Sequence, residues 1–584
     1  MLRYLINHIS PLSPFKNHNL IKQYSILLLL CSFSVSSFGQ TYDIQEIDNI
    51  FKQWSKPNVP GGAIGIIKDG ELIYSKGYGI ADLEHDIKIS SSSVFNICSI
   101  SKEFVSFSLL LLEEQGKLNL DDTVQTYLPD FPEYDAPLTI RHFINHTSGI
   151  RDVKKLIQLK GKNIFDNLEP EEVYALIKHQ KALEFSPGDK FAWSNSDYFI
   201  LSMIIEKVSG QSLKTFTQEH IFGPLGMKST LFYDDNTDLI KNRVFSYNKK
   251  NAEDGFDNLI MRFHLVGSFG AYSTIEDLFL WDQNFYNNKL GKGGQKIIKN
   301  MHEEGRLNNG ESSGYAYSVM IDNYKGLKTV EHGGSFAGYR SVVLRFPDEK
   351  VSVIILANRG DANPWTMSYQ LADVLLKEKF IDLPKKKENS TDNKIDNHDS
   401  SDIKEKFPLN QITGDYEIEP GRLLKFNTKN DSLQCLESCR EPFLMLINTQ
   451  GDTYKEANNS DTQFVFSDLN NGLTQNITVS GTGFEITLKR KEKFYFSNLN
   501  LAEYRGNFYS EEIDATHVLF LEEGELKVKI ANNEALALAP YNIDTFNSDN
   551  SDSYMVHFTR ENGDISGFDL KAGWVTKLKF VKTK

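Results

Sequence analysis

Apolar and polar positions change rhythm along this chain. From about residue 45 to 380, compact apolar runs such as Gly62-Ala63-Ile64-Gly65-Ile66-Ile67 and Ser341-Val342-Val343-Leu344-Arg345-Phe346-Pro347 read as strands. Between them lie stretches with helical spacing. Lys102 to Gln115 carries Phe104, Phe107, Leu110 and Leu111 on one face, and Tyr198 to Ser209 stops before Gly210, a fitting C-cap. Within Ser273 to Asp282, Trp281 reads as the core anchor of an amphipathic helix. This mixture predicts α and β in one domain, residues 45–380.

The rhythm then breaks. Pro384-Lys385-Lys386-Lys387 and the polar tract behind it have almost nothing to bury, so 384–406 reads as a linker. Beyond it, alternating segments such as Leu423-Leu424-Lys425-Phe426 and Leu526-Lys527-Val528-Lys529-Ile530 are cut by Gly, Asn and Asp turns, an all-β pattern. The region repeats itself with a period of about 92 residues. Gly414-Asp415-Tyr416 matches Gly506-Asn507-Phe508, Asp452-Thr453-Tyr454 matches Asp544-Thr545-Phe546, and Phe464-Val465-Phe466 matches Val556-His557-Phe558. Two copies of one antiparallel module are predicted, 407–497 and 498–584, each closing as a small barrel of about eight short strands that leaves no open edge.

At the N-terminus, Arg3, Lys16 and Lys22 precede the apolar run Ile26-Leu27-Leu28-Leu29-Leu30, and small residues lead to Ser37-Phe38-Gly39 before Gln40. This is the layout of an export signal over 1–39. The run is short for a bilayer, so no stable membrane span is expected after cleavage, and an uncleaved anchor is the weaker reading. A lipid anchor on Cys31 is disfavoured by the bulk of Leu30 before it. The expected destination is the periplasm or the medium. A net charge of −14 over 584 residues argues against a nucleic-acid partner. Cleavage leaves Cys98, Cys435 and Cys439, too few for a disulfide framework; Cys435 and Cys439 either pair across a turn or remain unlinked thiols. No Cys/His grouping shows ligand spacing, so no metal is implied.

Chemistry concentrates at Ser99-Ile100-Ser101-Lys102, where a loop enters the first predicted helix. One helical turn places the hydroxyl and the amine on the same side. A serine hydroxyl becomes a nucleophile when a base takes its proton, and a lysine can serve if burial or a neighbouring cation keeps it partly neutral. The helix start also offers unpaired N–H groups and a positive dipole end to a developing oxyanion. Alone, Ser-x-x-Lys is common by chance and reads as a capped helix start with a solvated lysine. Its surroundings decide.

The segment Phe95-Asn96-Ile97-Cys98-Ser99-Ile100-Ser101-Lys102-Glu103-Phe104 resembles the active-site segment of the serine β-lactamase-like hydrolases, which include class C β-lactamases, D-alanyl-D-alanine carboxypeptidases, D-aminopeptidases and esterases. Further landmarks follow in the family's order: His146-Thr147-Ser148-Gly149, then Pro187-Gly188 leading to Trp193-Ser194-Asn195, then His332-Gly333-Gly334. The resemblance implies an α/β β-lactamase/transpeptidase-like domain, an antiparallel sheet flanked by helices plus an all-helical subdomain. The following barrels are similar in layout to those of the D-aminopeptidases, which border the active site. It implies that Ser99 is acylated and Lys102 shares its proton. Backbone N–H groups of Ser99 and Ser335 would form the oxyanion hole, and Asn195, His332, Gly333, Gly334 and Trp193 would contact substrate. His332, on the strand flanking the cleft, could donate or accept when neutral and hold a substrate carboxylate when charged. No cofactor is implied.

One position departs from the family pattern. Trp193 stands where a tyrosine is usual, and indole offers a donor N–H but no titratable oxygen. Either Lys102 acts alone as base, or the chain is a binding protein that kept the cleft and lost the base. Tyr198, a candidate substitute oxygen, lies round the helix from Ser99; His146 reads as a loop-fixing hydrogen-bond former; and Arg340, which could meet a substrate carboxylate bidentately, reads rather as a solvated strand-edge residue. The expectation is an exported serine hydrolase acting through an acyl-enzyme on a small-molecule or peptide amide or ester. D-amino-acid peptides come first, then small esters, then β-lactams. Carbohydrate or lipid binding by the barrels is the remaining alternative, and the oligomeric state is left unknown.

Overall fold

The apolar run Gly62–Lys68 forms strand β1 and is buried at consecutive positions, which means that both faces of its sheet are covered. In the computed structural model, the described residues are 43–250, 255–262, 264–381, 407–419, 422–429, 432–437, 444–450, 452–456, 462–481, 484–491, 499–548 and 554–583. Strand β2 is Glu71–Tyr78, β3 Met320–Tyr324, β4 Leu327–Phe336, β5 Tyr339–Phe346 and β6 Val351–Ala357. They make a six-stranded antiparallel sheet of order β3-β4-β5-β6-β1-β2. β6 is buried throughout, as a central strand must be, whereas β2 lies at the edge and only Tyr78 of it is fully buried.

Five helices matter to the site: α1 Ser101–Glu114, α2 Val153–Leu159, α3 Asn195–Ser209, α4 Ile275–Tyr286 and α5 Pro364–Leu376. Helix α1 is buried from Ser101 to Leu112, and its apolar side chains on every face make it the central helix of the core. Helix α3 ends at Gly210, whose φ of +73° is the left-handed C-cap. Asp152 caps α2 by accepting the Lys155 N–H (3.1 Å), and Thr274 caps α4 by accepting that of Asp277 (3.2 Å).

The C-terminal region is two closed antiparallel barrels of eight strands each. The repeat appears as equivalent packing: Tyr416 meets Phe466 edge-on with ring centroids 5.9 Å apart, and Phe508 meets Phe558 in the same way at 5.8 Å. The first barrel has a core of its own, built on Tyr416, Phe426, Phe464 and Phe466. The second is continuous with the core of the α/β domain. Arg151 Nη1 pairs with Glu512 (2.6 Å), Arg151 Nη2 donates to the Lys577 carbonyl (3.0 Å), and His517 Nε2 donates to the carbonyl of Leu159 (2.7 Å).

Arg340 differs from the sequence expectation. Strand β5 is internal to the sheet, and partly buried Arg340 donates from Nη1 to the carbonyls of Ala337 (2.9 Å) and Tyr339 (2.7 Å). The export segment 1–39 with Cys31, the linker 384–406 and Cys439 lie outside the described residues. Among the described residues no helix is long and apolar enough to cross a membrane.

Candidate active site

Ser99 occupies the single turn Cys98–Ile100 that leads into α1. Cys98 has φ +53°, a left-handed conformation uncommon outside glycine, and its N–H is held by Asn96 Oδ1 (2.8 Å). Ser101 Oγ donates to the Cys98 carbonyl (2.5 Å) and accepts from the Ala271 N–H (3.0 Å), which fixes the turn from behind. Cys98 and Ile100 are thereby buried and Ser99 stays partly open. Strand β4 crosses this turn closely. A Cβ on Gly334 would lie 2.6 Å from Ser99 N, so only glycine lets the strand pass this close to Ser99. A Cβ on Gly333 would instead collide with the Trp365 ring.

The first turn of α1 sets Lys102 Nζ 3.1 Å from Ser99 Oγ. Nζ also reaches the Ser268 carbonyl (2.8 Å), Ser268 Oγ (2.7 Å) and, more distantly, Asn195 Oδ1 (3.4 Å). The Ser268 hydroxyl in turn donates to Asn195 Oδ1 (2.6 Å), and Asn195 is anchored on Asp152 Oδ2 through its N–H (2.8 Å) and Nδ2 (2.7 Å). Burial pushes the Lys102 pKa down to about 7, against the opposing pull of Asp152 and Asp197. The Trp193 ring, 4.6 Å from Nζ, also favours the cation. A neutral amine has two N–H bonds and one lone pair. With the N–H bonds taken up by the two Ser268 oxygens, the lone pair is left facing Ser99 Oγ.

Behind Trp193 lies His146, with ring centroids 4.5 Å apart. His146 Nδ1 is 2.8 Å from Asp197 Oδ2, and Ser148 Oγ donates to Asp197 Oδ1 (2.6 Å). Burial drives the His146 pKa down and that of Asp197 up, so both partners are pushed toward their neutral forms. The Tyr198 hydroxyl donates to the Ile144 carbonyl (2.8 Å) and lies 2.8 Å from Ser318 Oγ, so its hydrogen bonds point away from Ser99.

His332 does not stand on the cleft wall. It is 1% exposed; its Nδ1–H donates to the Gly333 carbonyl (2.7 Å), and the Tyr315 hydroxyl donates to Nε2 (3.1 Å). Burial, reinforced by Lys102, lowers its pKa to about 3, so it is neutral with both nitrogens engaged and cannot hold a carboxylate by charge.

A cavity of about 310 Å³ opens onto Ser99 and is lined by Trp193, Asn195, Ser335, Lys154, Phe336 and Trp574 among others. Of the residues nominated from sequence, Ser99, Trp193, Asn195 and Ser335 meet there, while Lys102, His332, Gly333 and Gly334 lie behind the wall. A larger cavity of about 970 Å³, lined by Phe285, His302 and Arg345, contains none of them. Sequence reasoning missed Ser268, Asp152, Lys154 and Trp574. Asp152 was readable as an N-cap three residues before Lys155, but nothing local marks Ser268 or Trp574.

The sheet, the central helix bearing Ser99 and Lys102, and the strand crossing them define a β-lactamase/transpeptidase-like fold. The family model described as Beta-lactamase matches residues 47–373, and the chain belongs to that family of hydrolases. It is similar to Penicillin-binding protein 4* of Bacillus subtilis (strain 168), 26% identical over 405 residues that cover 67% of this chain and 86% of that one. It is also 28% identical over 319 residues to the D-aminopeptidase of Brucella anthropi, covering 54% of this chain and 59% of the relative, less than two thirds of its length. Among solved structures, the octameric penicillin-binding protein homologue from Pyrococcus abyssi shares the fold, with a TM-score of 0.55 at 20% identity over 84% of this chain and 99% of that one.

Proposed function

We propose that this chain is an exported serine hydrolase that cleaves an amide or ester through an acyl-enzyme on Ser99. The observation that carries the reading is the buried Lys102 amine, 3.1 Å from Ser99 Oγ and with a pKa lowered to about 7. Neutral Lys102 takes the Ser99 proton as Oγ attacks the substrate carbonyl. The N–H groups of Ser99 and Ser335 hold the oxyanion, and the lysine ammonium returns its proton to the leaving amine or alcohol. Water, deprotonated by the same lysine, then releases the acyl group. Peptides containing D-amino acids are the first substrate class, in keeping with the D-aminopeptidase relative, and small esters the second. Export rests on the N-terminal pattern, and a mature protein beginning at Gln40 would support it.

Intact mass after exposure to a fluorophosphonate and to an activated ester tests the chemistry. The expected result is one covalent adduct in the wild type and none in Ser99→Ala. Turnover that survives in Ser99→Ala overturns the nucleophile assignment. Because the Trp193 indole covers Lys102 where a phenol is usual, the second reading is a binder without chemistry, supported if folded wild type takes no adduct while Trp193→Tyr does.

A further inference from the structure

The last of the landmarks, His332-Gly333-Gly334, carries no charge, since His332 is buried and neutral. Charge recognition in the cavity then falls to the charged side chains that line it, Lys154 among them. Lys154, on the first turn of α2, lines the same cavity as Ser99, Asn195 and Ser335. It is partly buried, and among the described residues its ammonium has neither a hydrogen-bond acceptor nor an ion-pair partner; it meets the Phe336 ring at 5.8 Å.

The other charged groups lining this cavity or touching it from behind are Lys102, Asp152 and Lys155, with Arg340 close enough to act on Lys154. Asp152 is already engaged: Oδ1 accepts from the Lys155 N–H and Oδ2 from two Asn195 donors. Burial lowers the pKa of Lys154; Asp152 partly offsets this, and Lys155 and Arg340 reinforce it. A half-desolvated cation in that position is relieved by an anion. A free amine entering beside it meets like charge in a poorly solvated space.

We propose that Lys154 makes this cavity selective for substrates whose acyl half carries a carboxylate, seated on the Asn195 side of Ser99 between Lys154 and the Phe336 wall. This rests on the acyl-enzyme reading above and deepens it. The preferred acyl group is acidic and lacks a free amine, which narrows the D-amino-acid peptides proposed above to those whose acyl half is acidic and amino-blocked.

The test uses p-nitrophenyl monoesters of glutaric and adipic acid, their neutral methyl diesters, and ω-amino esters of matching length. Wild-type kcat/KM is expected to favour the carboxylate over the neutral ester by about tenfold or more, with the ammonium slowest. Lys154→Arg keeps that order, Lys154→Met collapses the carboxylate-to-neutral ratio toward unity, and Lys154→Glu turns it in favour of the ammonium. Equal rates for the three charge types in wild type, or an unchanged ratio in Lys154→Met, would overturn the proposal. A second measurement needs no turnover. Ser99→Ala protein is titrated calorimetrically with glutaric acid monoamide and with neutral glutaramide, with and without Lys154→Met. Tighter binding of the monoamide that Lys154→Met abolishes supports the site even if every ester is inert, in which case only the acyl-enzyme reading fails; equal binding of the two refutes it.

Discussion

Lys102 starts from an ordinary pKa of 10.5, and the fold removes its water without giving it a carboxylate contact. If the neutral amine is the base, acylation of Ser99 should rise with pH through about 7 and then level off, which single-turnover kinetics will show. A rate falling over that range would contradict the assignment. The same shift has a stability consequence. Between the folded and unfolded pKa values, about 7 and 10.5, the unfolded chain binds a proton that the folded chain does not, so stability rises with pH across that window. Compared with Lys102→Met, the wild type should gain roughly a few kcal/mol between the two ends, measured by denaturant melts. Ser268→Ala separates two effects. Losing an acceptor destabilises the ammonium, so the midpoint should move lower, while the amine loses its aim and the plateau rate should drop by about tenfold. Ser99 and Lys102 were legible because one helical turn joins them. Ser268 was not, because it comes to Lys102 from 166 residues away in a loop without pattern. Trp193 was visible as a departure, but its seat between Lys102 and His146 is a product of tertiary packing.

At the scale of elements, the Ser99–Lys102 pair is only as well placed as α1, and α1 is tied to the sheet by buried charge. Arg345 on β5 reaches Glu103 Oε2 with Nη2 (3.0 Å) and Asp282 Oδ1 with Nε (3.1 Å), while Trp281 Nε1 donates to Glu103 Oε2 (2.7 Å). All three charged side chains are at most 2% exposed, and Glu103 directly follows Lys102. Arg345→Met should therefore lose about 3–5 kcal/mol in chemical denaturation, because it strands two buried carboxylates rather than because the ion pairs are strong. Neutralising both acids as well, with Glu103→Gln and Asp282→Asn, should recover much of that loss; no recovery would point to packing instead. The sequence marked Trp281 as a core anchor through its spacing. It also holds a signal for the triad: Arg345 interrupts an apolar strand and Glu103 an apolar helix, and charges in such positions need each other. The place of Arg340 on an internal strand is not legible for the related reason that strand order within a sheet is not written locally.

For the whole molecule, the duplicated barrels were legible from their period, but their unequal roles were not, since which copy docks depends on contacts between distant segments. The second barrel is held by buried Arg151, shared between Glu184 (2.7 Å) and Glu512 (2.6 Å), and it carries the hairpin turn Gly573-Trp574 to the cavity over Ser99. Trp574 is 56% exposed, which is unusual for so large an apolar side chain on a tight turn and is not explained by packing within the barrel. Its position beside Ser99, Trp193 and Phe336 makes it a removable wall. Trp574→Ala should leave the melting temperature nearly unchanged, because little buried area is lost, while relaxing selectivity for acyl length, with KM rising several-fold for the chain lengths that pack against the indole. Arg151→Met should produce the same change in selectivity together with a loss of about 3–5 kcal/mol, because undocking the barrel withdraws the wall and leaves two buried carboxylates without their cation. Paired melts and kcat/KM values across p-nitrophenyl esters from acetate to octanoate measure both effects. If Trp574→Ala leaves the length profile untouched while Arg151→Met alters it, the barrel acts on the site through the stability of the shared core and not through the indole.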